Sequence, residues 1–356
     1  MTNLDDLPIR PDLVGQLPYG APQIDVPIRL NVNENTFGIP EEVALRIVQR
    51  TAEAALTLNR YPDREFMELR QMLAEFLGGN LAAEQIWAAN GSNEILQQFF
   101  QVFGGPEAKA MSFGPTYSMY ANIARTTLTE YQLLPRLDDY SLTSEYVREE
   151  IQKAKPQIVI LCSPNNPTGT GLALDVIEAA YNSFEGMLLV DEAYQEFSDS
   201  PSAISLLPGR PRLVISRTMS KAFAFAGARV GYMAADAAVV DAMRIVRLPY
   251  HLSALTQAAA MAALETSGQL LANIEQIKVQ RDRIMVGVLK MGLSPLPSDA
   301  NFVLIQGFQD THVIFEGLLA KGIIVRDIGI PGCLRVTAGT EAETTKLLGE
   351  LALLLD

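Results

Sequence analysis

Lys221 carries more chemical potential than any other residue in the chain, because of what stands beside it. It lies in Arg217-Thr218-Met219-Ser220-Lys221-Ala222-Phe223, and Ala226-Gly227-Ala228-Arg229 follows. A lysine amine attacks a carbonyl only when deprotonated, and a neighbouring cation or an apolar enclosure lowers its pKa toward that state. Arg229 supplies the cation, while Thr218 and Ser220 supply short hydroxyls able to bind a phosphate. The stretch is thereby equipped to hold an aldehyde cofactor with a phosphate tail, a description that fits pyridoxal phosphate. A lysine solvated in a loop is the competing reading.

Other stretches have chemistry to offer. Asp191-Glu192-Ala193-Tyr194 closes the apolar run Met187-Leu188-Leu189-Val190. An acid at the end of a buried strand is costly unless paired; its partner is a cationic ring nitrogen, a helix end to cap or an internal salt bridge. Ser163-Pro164-Asn165-Asn166-Pro167-Thr168-Gly169 ends a second apolar run and reads as a rigid loop carrying amides at a strand's C-terminal end, where open α/β sheets bind ligands. Asn90-Gly91-Ser92-Asn93-Glu94 has the form of a turn from strand to helix that aims free N–H groups at an anion. A plain N-cap by Ser92 or Asn93 is the alternative. Tyr117, behind Gly114-Pro115-Thr116, is placed to stack on a planar ligand or to fill the core. Nearer the start, Pro18-Tyr19-Gly20 and Asn31-Val32-Asn33-Glu34-Asn35 stand out, with ordinary turn chemistry as their competing explanation.

The elements that must position these residues follow from periodicity and punctuation. Residues 1–40 are rich in Pro, Asn and Gly and read as an arm packed on something else. Helical patterns cover 41–58 and 65–77, broken by Asn59-Arg60-Tyr61-Pro62-Asp63. Strands are expected at 86–89, 110–113, 158–162, 187–190 and 213–216, with helices between, such as 173–183. That alternation predicts a mostly parallel sheet between helices over 41–252. A long helical pattern then covers 253–289, and short strands at 301–305, 323–326 and 333–337 mix with helices, so 253–356 reads as a smaller α+β domain.

Composition narrows the function. The chain has 356 residues, 48% of them apolar, enough for a large and a small domain. A formal charge of −13 argues against nucleic acid or an anionic membrane surface as a partner. No apolar run reaches the length of a membrane span, and the acidic N-terminus lacks a signal-peptide pattern. Cys162 and Cys333 cannot build a disulfide framework and predict a reducing, cytoplasmic setting. His251 and His312 lie far apart without a supporting ligand set, so no metal site is expected.

Taken together, the chain resembles the fold-type-I pyridoxal phosphate aminotransferases over essentially its whole length. The resemblance rests on Asn33-Glu34-Asn35, Arg60-Tyr61-Pro62-Asp63, Gly91-Ser92-Asn93-Glu94, Ser163 to Gly169, Asp191-Glu192-Ala193-Tyr194, the lysine stretch and Leu334-Arg335-Val336, in that order. It implies an α/β fold: a large domain whose mostly parallel sheet is sandwiched by helices, plus a smaller α+β domain. Lys221 would bond to the cofactor aldehyde and then move a proton between substrate Cα and cofactor C4′. Asp191 would pair with the pyridine nitrogen, Tyr194 and Asn166 would hydrogen-bond the phenolic oxygen, and Tyr117 would stack on the ring. Ser92, Asn93, Thr218, Ser220 and Arg229 would hold the phosphate, with Tyr61 reaching it from the other subunit of a homodimer whose interface the arm also contacts. Arg335, assisted by Arg326, would clamp the substrate's anionic group, and Tyr19 and Asn33 would line the substrate pocket. The implied reaction is transamination between histidinol phosphate and 2-oxoglutarate, with glutamate as product, in histidine biosynthesis. Phenylalanine or tyrosine is the alternative donor. A phosphothreonine-type decarboxylase and a ligand-sensing domain of a transcription regulator are further readings of the same scaffold. In one place the chain departs from the family phrase Asn-Glu-Asn-Pro: Thr36 stands where the proline is usual.

Overall fold

The computed structural model describes residues 6–18, 20 and 22–355. In chain order its strands are β1 (Ile28–Arg29), β2 (Ile86–Ala89), β3 (Lys109–Gly114), β4 (Glu130–Pro135), β5 (Ile158–Cys162), β6 (Met187–Asp191), β7 (Leu213–Thr218), β8 (Gly231–Ala235), β9 (Ser294–Pro295), β10 (Phe302–Gln306), β11 (Ile323–Ile324), β12 (Arg326–Asp327) and β13 (Cys333–Thr337). Its helices are α1 (Glu41–Ala55), α2 (Met67–Leu77), α3 (Ser92–Phe103), α4 (Met119–Thr126), α5 (Ser144–Ala154), α6 (Leu174–Tyr181), α7 (Ala237–Val246), α8 (Ala254–Glu265), α9 (Ser267–Leu271), α10 (Ile274–Lys290), α11 (Thr311–Ala320) and α12 (Glu341–Leu355).

Seven strands form one sheet in the order β2-β8-β7-β6-β5-β3-β4. β8 runs antiparallel to both neighbours and every other pairing is parallel. Continuous apolar runs suit strands covered on both faces, and β5, Ile-Val-Ile-Leu-Cys, is buried throughout. The chain steps from β3 outward to β4 and then returns to the other side of β3 as β5, so the winding direction reverses between β3 and β5. Ligands of doubly wound sheets settle outside the carboxyl ends of strands at such a reversal. Here β3, β5, β6 and β7, all parallel, deliver Tyr117, Asn166, Asp191 and Thr218 to that one edge.

The C-terminal part carries its own antiparallel sheet, β12-β13-β10-β9, with α10 packed on β9 and β10. β1 pairs in parallel with β11, and the Thr337 N–H donates to Leu30 O, so residues 28–30 are stitched to this part of the chain. The helical pattern over 253–289 is three helices rather than one. The Thr266 hydroxyl donates to Ala262 O, a local bond that competes with helix continuation, and Gly268 follows in the short α9 before Asn273 breaks the run again. α8 packs on α1 and α2, while α10 belongs to the C-terminal sheet. Among the described residues no helix is long and apolar enough to cross a membrane.

Candidate active site

A cavity of about 940 Å³ opens at the carboxyl edge of the large sheet. Every candidate cofactor- or substrate-binding residue among the described residues lines it except Tyr61. Tyr19 lies outside the described residues. Tyr61 is 79% exposed and stacks on Tyr250 with ring centroids 4.3 Å apart, away from the cavity of its own chain.

Lys221 follows β7, and its Nζ donates to Val32 O at 3.0 Å. Burial lowers its pKa to about 8, with Arg335 and Arg229 adding repulsion that Glu34 partly offsets. A larger neutral fraction at physiological pH is what a nucleophilic amine needs. Asp191 ends β6 and is buried; its Oδ2 accepts from the Tyr120 hydroxyl at 2.7 Å. Its Oδ1 closes no hydrogen bond, although it too is buried. Burial pushes this carboxyl up to about 6, against the lowering effect of Tyr120 and the Ala193 N–H. No arginine or lysine pairs with Asp191 among the described residues and it caps no helix, so neither alternative partner is in place.

A phosphate-sized cradle sits beside Lys221. Gly91, at φ +84, caps α3 without a side-chain bond, so neither Ser92 nor Asn93 acts as N-cap. A Cβ on Gly91 would stand 2.5 Å from Arg229 Nη2, and one on Gly231 would stand 2.1 Å from the Ser92 nitrogen. Both glycines therefore permit contacts that any side chain would block. The Thr218 hydroxyl donates to Ser220 Oγ at 3.0 Å, and Arg229 Nη1 donates to the same oxygen at 3.4 Å. Helix N-terminus, guanidinium and two hydroxyls thus converge on one point, an arrangement that favours a multiply charged oxyanion.

On the opposite wall, Arg335 from β13 donates to Asn166 Oδ1 at 2.5 Å and Asn31 O at 2.8 Å, over the ring of Phe302. Arg326 stands directly across from it in the β12–β13 register. Tyr194 is buried and its hydroxyl accepts from Asn33 Nδ2 at 3.0 Å; burial pushes its pKa up to about 12. Asn33, itself at φ 57, is held by Thr337. The Tyr117 hydroxyl donates to Asn93 Oδ1 at 3.2 Å. Thr36, at the departure from the family phrase, bonds Glu343 Oε2 at 2.6 Å, outside the cavity.

Sequence reasoning missed several groups. Tyr120 lies three residues beyond Tyr117, one helical turn, a spacing that would have pointed to it. Beneath the site, Arg217 pairs with Glu192 at 2.8 Å and Glu196 at 3.0 Å in a buried cluster that joins the ends of β6 and β7. His251 bonds Ala88 O and stacks on Trp87, and no group of His, Cys, Asp or Glu fit to hold a metal occurs among the described residues.

These residues fit two groups of a pyridoxal phosphate molecule, its ring nitrogen and its phosphate. The orphaned Asp191 Oδ1 faces a need for one cationic N–H, and the cradle faces a need for a phosphate.

The chain matches the family model "Aminotransferase class I and II" over residues 25–351. It is 58% identical to a histidinol-phosphate aminotransferase of Paenarthrobacter aurescens over 361 aligned positions, covering 100% of this chain and 97% of that one. A histidinol-phosphate aminotransferase of Thermobifida fusca is 49% identical, covering 96% and 94%. Among solved structures, the histidinol-phosphate aminotransferase of Sinorhizobium meliloti in complex with pyridoxal-5'-phosphate superposes with a TM-score of 0.83 at 27% identity, covering 93% and 91%.

Proposed function

We infer the reaction from one premise: the chain belongs to the class I and II aminotransferase family. It is a pyridoxal phosphate-dependent aminotransferase that exchanges the amino group between histidinol phosphate and 2-oxoglutarate in histidine biosynthesis. The observation that carries the chemistry is Lys221 sharing one cavity with a buried Asp191 whose Oδ1 has no partner. When bound, the cofactor supplies an electron sink for the carbanion formed at substrate Cα.

The chain's own residues do the rest. Lys221 would hold the cofactor through its aldehyde, and its amine would take and return the substrate Cα proton. Asp191 would keep the ring nitrogen protonated, and Tyr117 would stack on the ring. Tyr194 and Asn166 would hydrogen-bond the phenolic oxygen, while Ser92, Asn93, Thr218, Ser220 and Arg229 would hold the phosphate. Arg335, with Arg326, takes the substrate anion in each half-reaction, a phosphate in one and a carboxylate in the other. Asn33 lines the cavity, and Tyr19 would join it in lining the substrate pocket from the arm. The test compares kcat/KM for histidinol phosphate and phenylalanine with 2-oxoglutarate as acceptor. At least about tenfold preference for histidinol phosphate is expected, one ordinary increment of 1.4 kcal/mol; a preference for phenylalanine overturns the substrate assignment.

The same reading divides the chain into an arm (1–40), a cofactor domain (41–252) and a small domain (253–356), and places it in the cytoplasm, where the free, buried Cys162 and Cys333 stay reduced. It also makes the enzyme a homodimer. Leu56, Tyr61, Ile245 and Leu248 are each at least 73% exposed on one chain, and Tyr61 stacks on Tyr250 close to the last two. Large apolar side chains left this exposed suit a two-fold interface. Tyr61 would then reach the cofactor phosphate of the partner.

Refolding a Lys221→Ala chain together with a Tyr61→Ala chain tests this. In a mixed dimer one site carries both defects and the other carries neither. Activity should therefore exceed that of either parent, Tyr61→Ala alone being already about tenfold impaired. No gain, or an unimpaired Tyr61→Ala parent, removes Tyr61 from the partner's site.

A further inference from the structure

Arg29 lies at the outer end of the same cavity, and none of the roles above uses it. Its place follows from strand alternation. Ile28 and Leu30 are buried, so Arg29 and Asn31 project from the other face of the strand, and both line the cavity. Arg29 pairs in register with Ile324, two residues before Arg326, and Arg326 pairs with Arg335. The two sheets are separate, but Arg29 from one and Arg326 and Arg335 from the other all line the same cavity. Like charges opposite one another on a sheet repel. Asp25 and Glu34 share the lining, yet neither lies within ion-pair distance of Arg29 or Arg326. Such a lining is completed by an anion of more than one charge.

We propose that Arg29 is a specificity-determining residue for the phosphorylated amino donor, contacting a phosphate oxygen beyond those held by Arg326 and Arg335. The proposal rests on the transamination reading given above. A phosphate monoester brings up to two negative charges and three terminal oxygens, enough for a third guanidinium. A carboxylate, with one charge and two oxygens, is satisfied by the Arg335 fork. Arg29 thus separates a phosphorylated donor from glutamate or an aromatic amino acid, all of which use Arg335.

The experiment measures kcat and KM of the holoenzyme for histidinol phosphate and for glutamate in Arg29→Gln and Arg29→Lys variants. Arg29→Gln should raise KM for histidinol phosphate by roughly ten- to a hundredfold, the worth of one charge-assisted contact, with kcat nearly unchanged. Its kcat/KM for glutamate should stay within about threefold, and Arg29→Lys should recover much of the loss. Equal losses on both substrates would mark a structural role, and no loss would mean no contact; either overturns the proposal. A second measurement is independent of the donor's identity. Inorganic phosphate should compete with glutamate in the wild type and about tenfold more weakly in Arg29→Gln. Unchanged phosphate inhibition overturns the role of Arg29. A wild type that ignores histidinol phosphate yet shows the phosphate difference instead overturns the substrate assignment alone.

Discussion

A Lys221→Ala enzyme is expected to transaminate at least about ten thousandfold more slowly than the wild type, the upper range for loss of a positioned acid–base group, and to lose covalent attachment of its cofactor. Lys221 is the only lysine lining the cavity among the described residues, so no second amine stands ready to replace it. Its amine is poised by burial, with Arg335 and Arg229 pressing in the same direction, at a pKa of about 8. The phosphate cradle and the unpartnered Asp191 oxygen remain in the variant, so cofactor should still bind, without a bond to the chain. Borohydride reduction followed by mass measurement reads this directly. The wild-type chain gains the mass of reduced cofactor and the variant does not. A variant that is still labelled on the chain, or that turns over at near wild-type rate, would mean that another residue carries the chemistry.

What was legible beforehand follows a physical divide. Asp191 and Asn166 announce themselves because uninterrupted apolar runs, buried as β6 and β5, end abruptly in polar residues at the ligand-binding edge of a parallel sheet. The Ser92 turn and the Thr218 to Arg229 segment are local in sequence, so their chemistry reads locally. Long-range partners have no such signature. The carbonyl of Val32, which accepts a hydrogen bond from Lys221 Nζ, is backbone and could belong to any residue. Arg335 meets Asn31 and Asn166 only because two sheets face each other across a cavity. β8 escaped notice because Gly-Tyr-Met-Ala-Ala has neither alternation nor β-branched residues, and β4 because Glu-Tyr-Gln-Leu-Leu-Pro mixes polar and apolar residues at a sheet edge. The break at Thr266 depends on a side chain-to-backbone bond that helical periodicity does not record. Tyr61 shows the reverse case, a motif plain in sequence whose single-chain environment is solvent and one other ring.

Asp191→Asn should separate binding from catalysis and, in the cofactor-free protein, should stabilise the fold. With cofactor, the carboxylate's work is to keep the ring nitrogen protonated. An amide has no charge to do so, and kcat should fall by roughly three orders of magnitude, about 4 kcal/mol of barrier. The phosphate cradle is untouched, so cofactor affinity should fall far less. Without cofactor the balance is opposite. Asp191 is fully enclosed, one oxygen is unpartnered, and its pKa rises from 3.8 to about 6. A carboxyl whose folded pKa lies above its unfolded one favours the fold while protonated, and that contribution is lost as pH rises through the folded value. At pH 7 the apo wild type therefore carries a penalty of about 3 kcal/mol for ionising a buried acid. Asparagine does not titrate and escapes it. Denaturant unfolding of the two apo proteins should show the variant more stable at pH 7, with the difference shrinking to the exchange of one neutral group for another below about pH 4. Equal stability at pH 7 would mean that water or a neighbour already satisfies Oδ1, and a near-normal kcat would make Asp191 a structural acid. The expected outcome is a site that gives up stability in the empty protein to hold a charge ready for its cofactor.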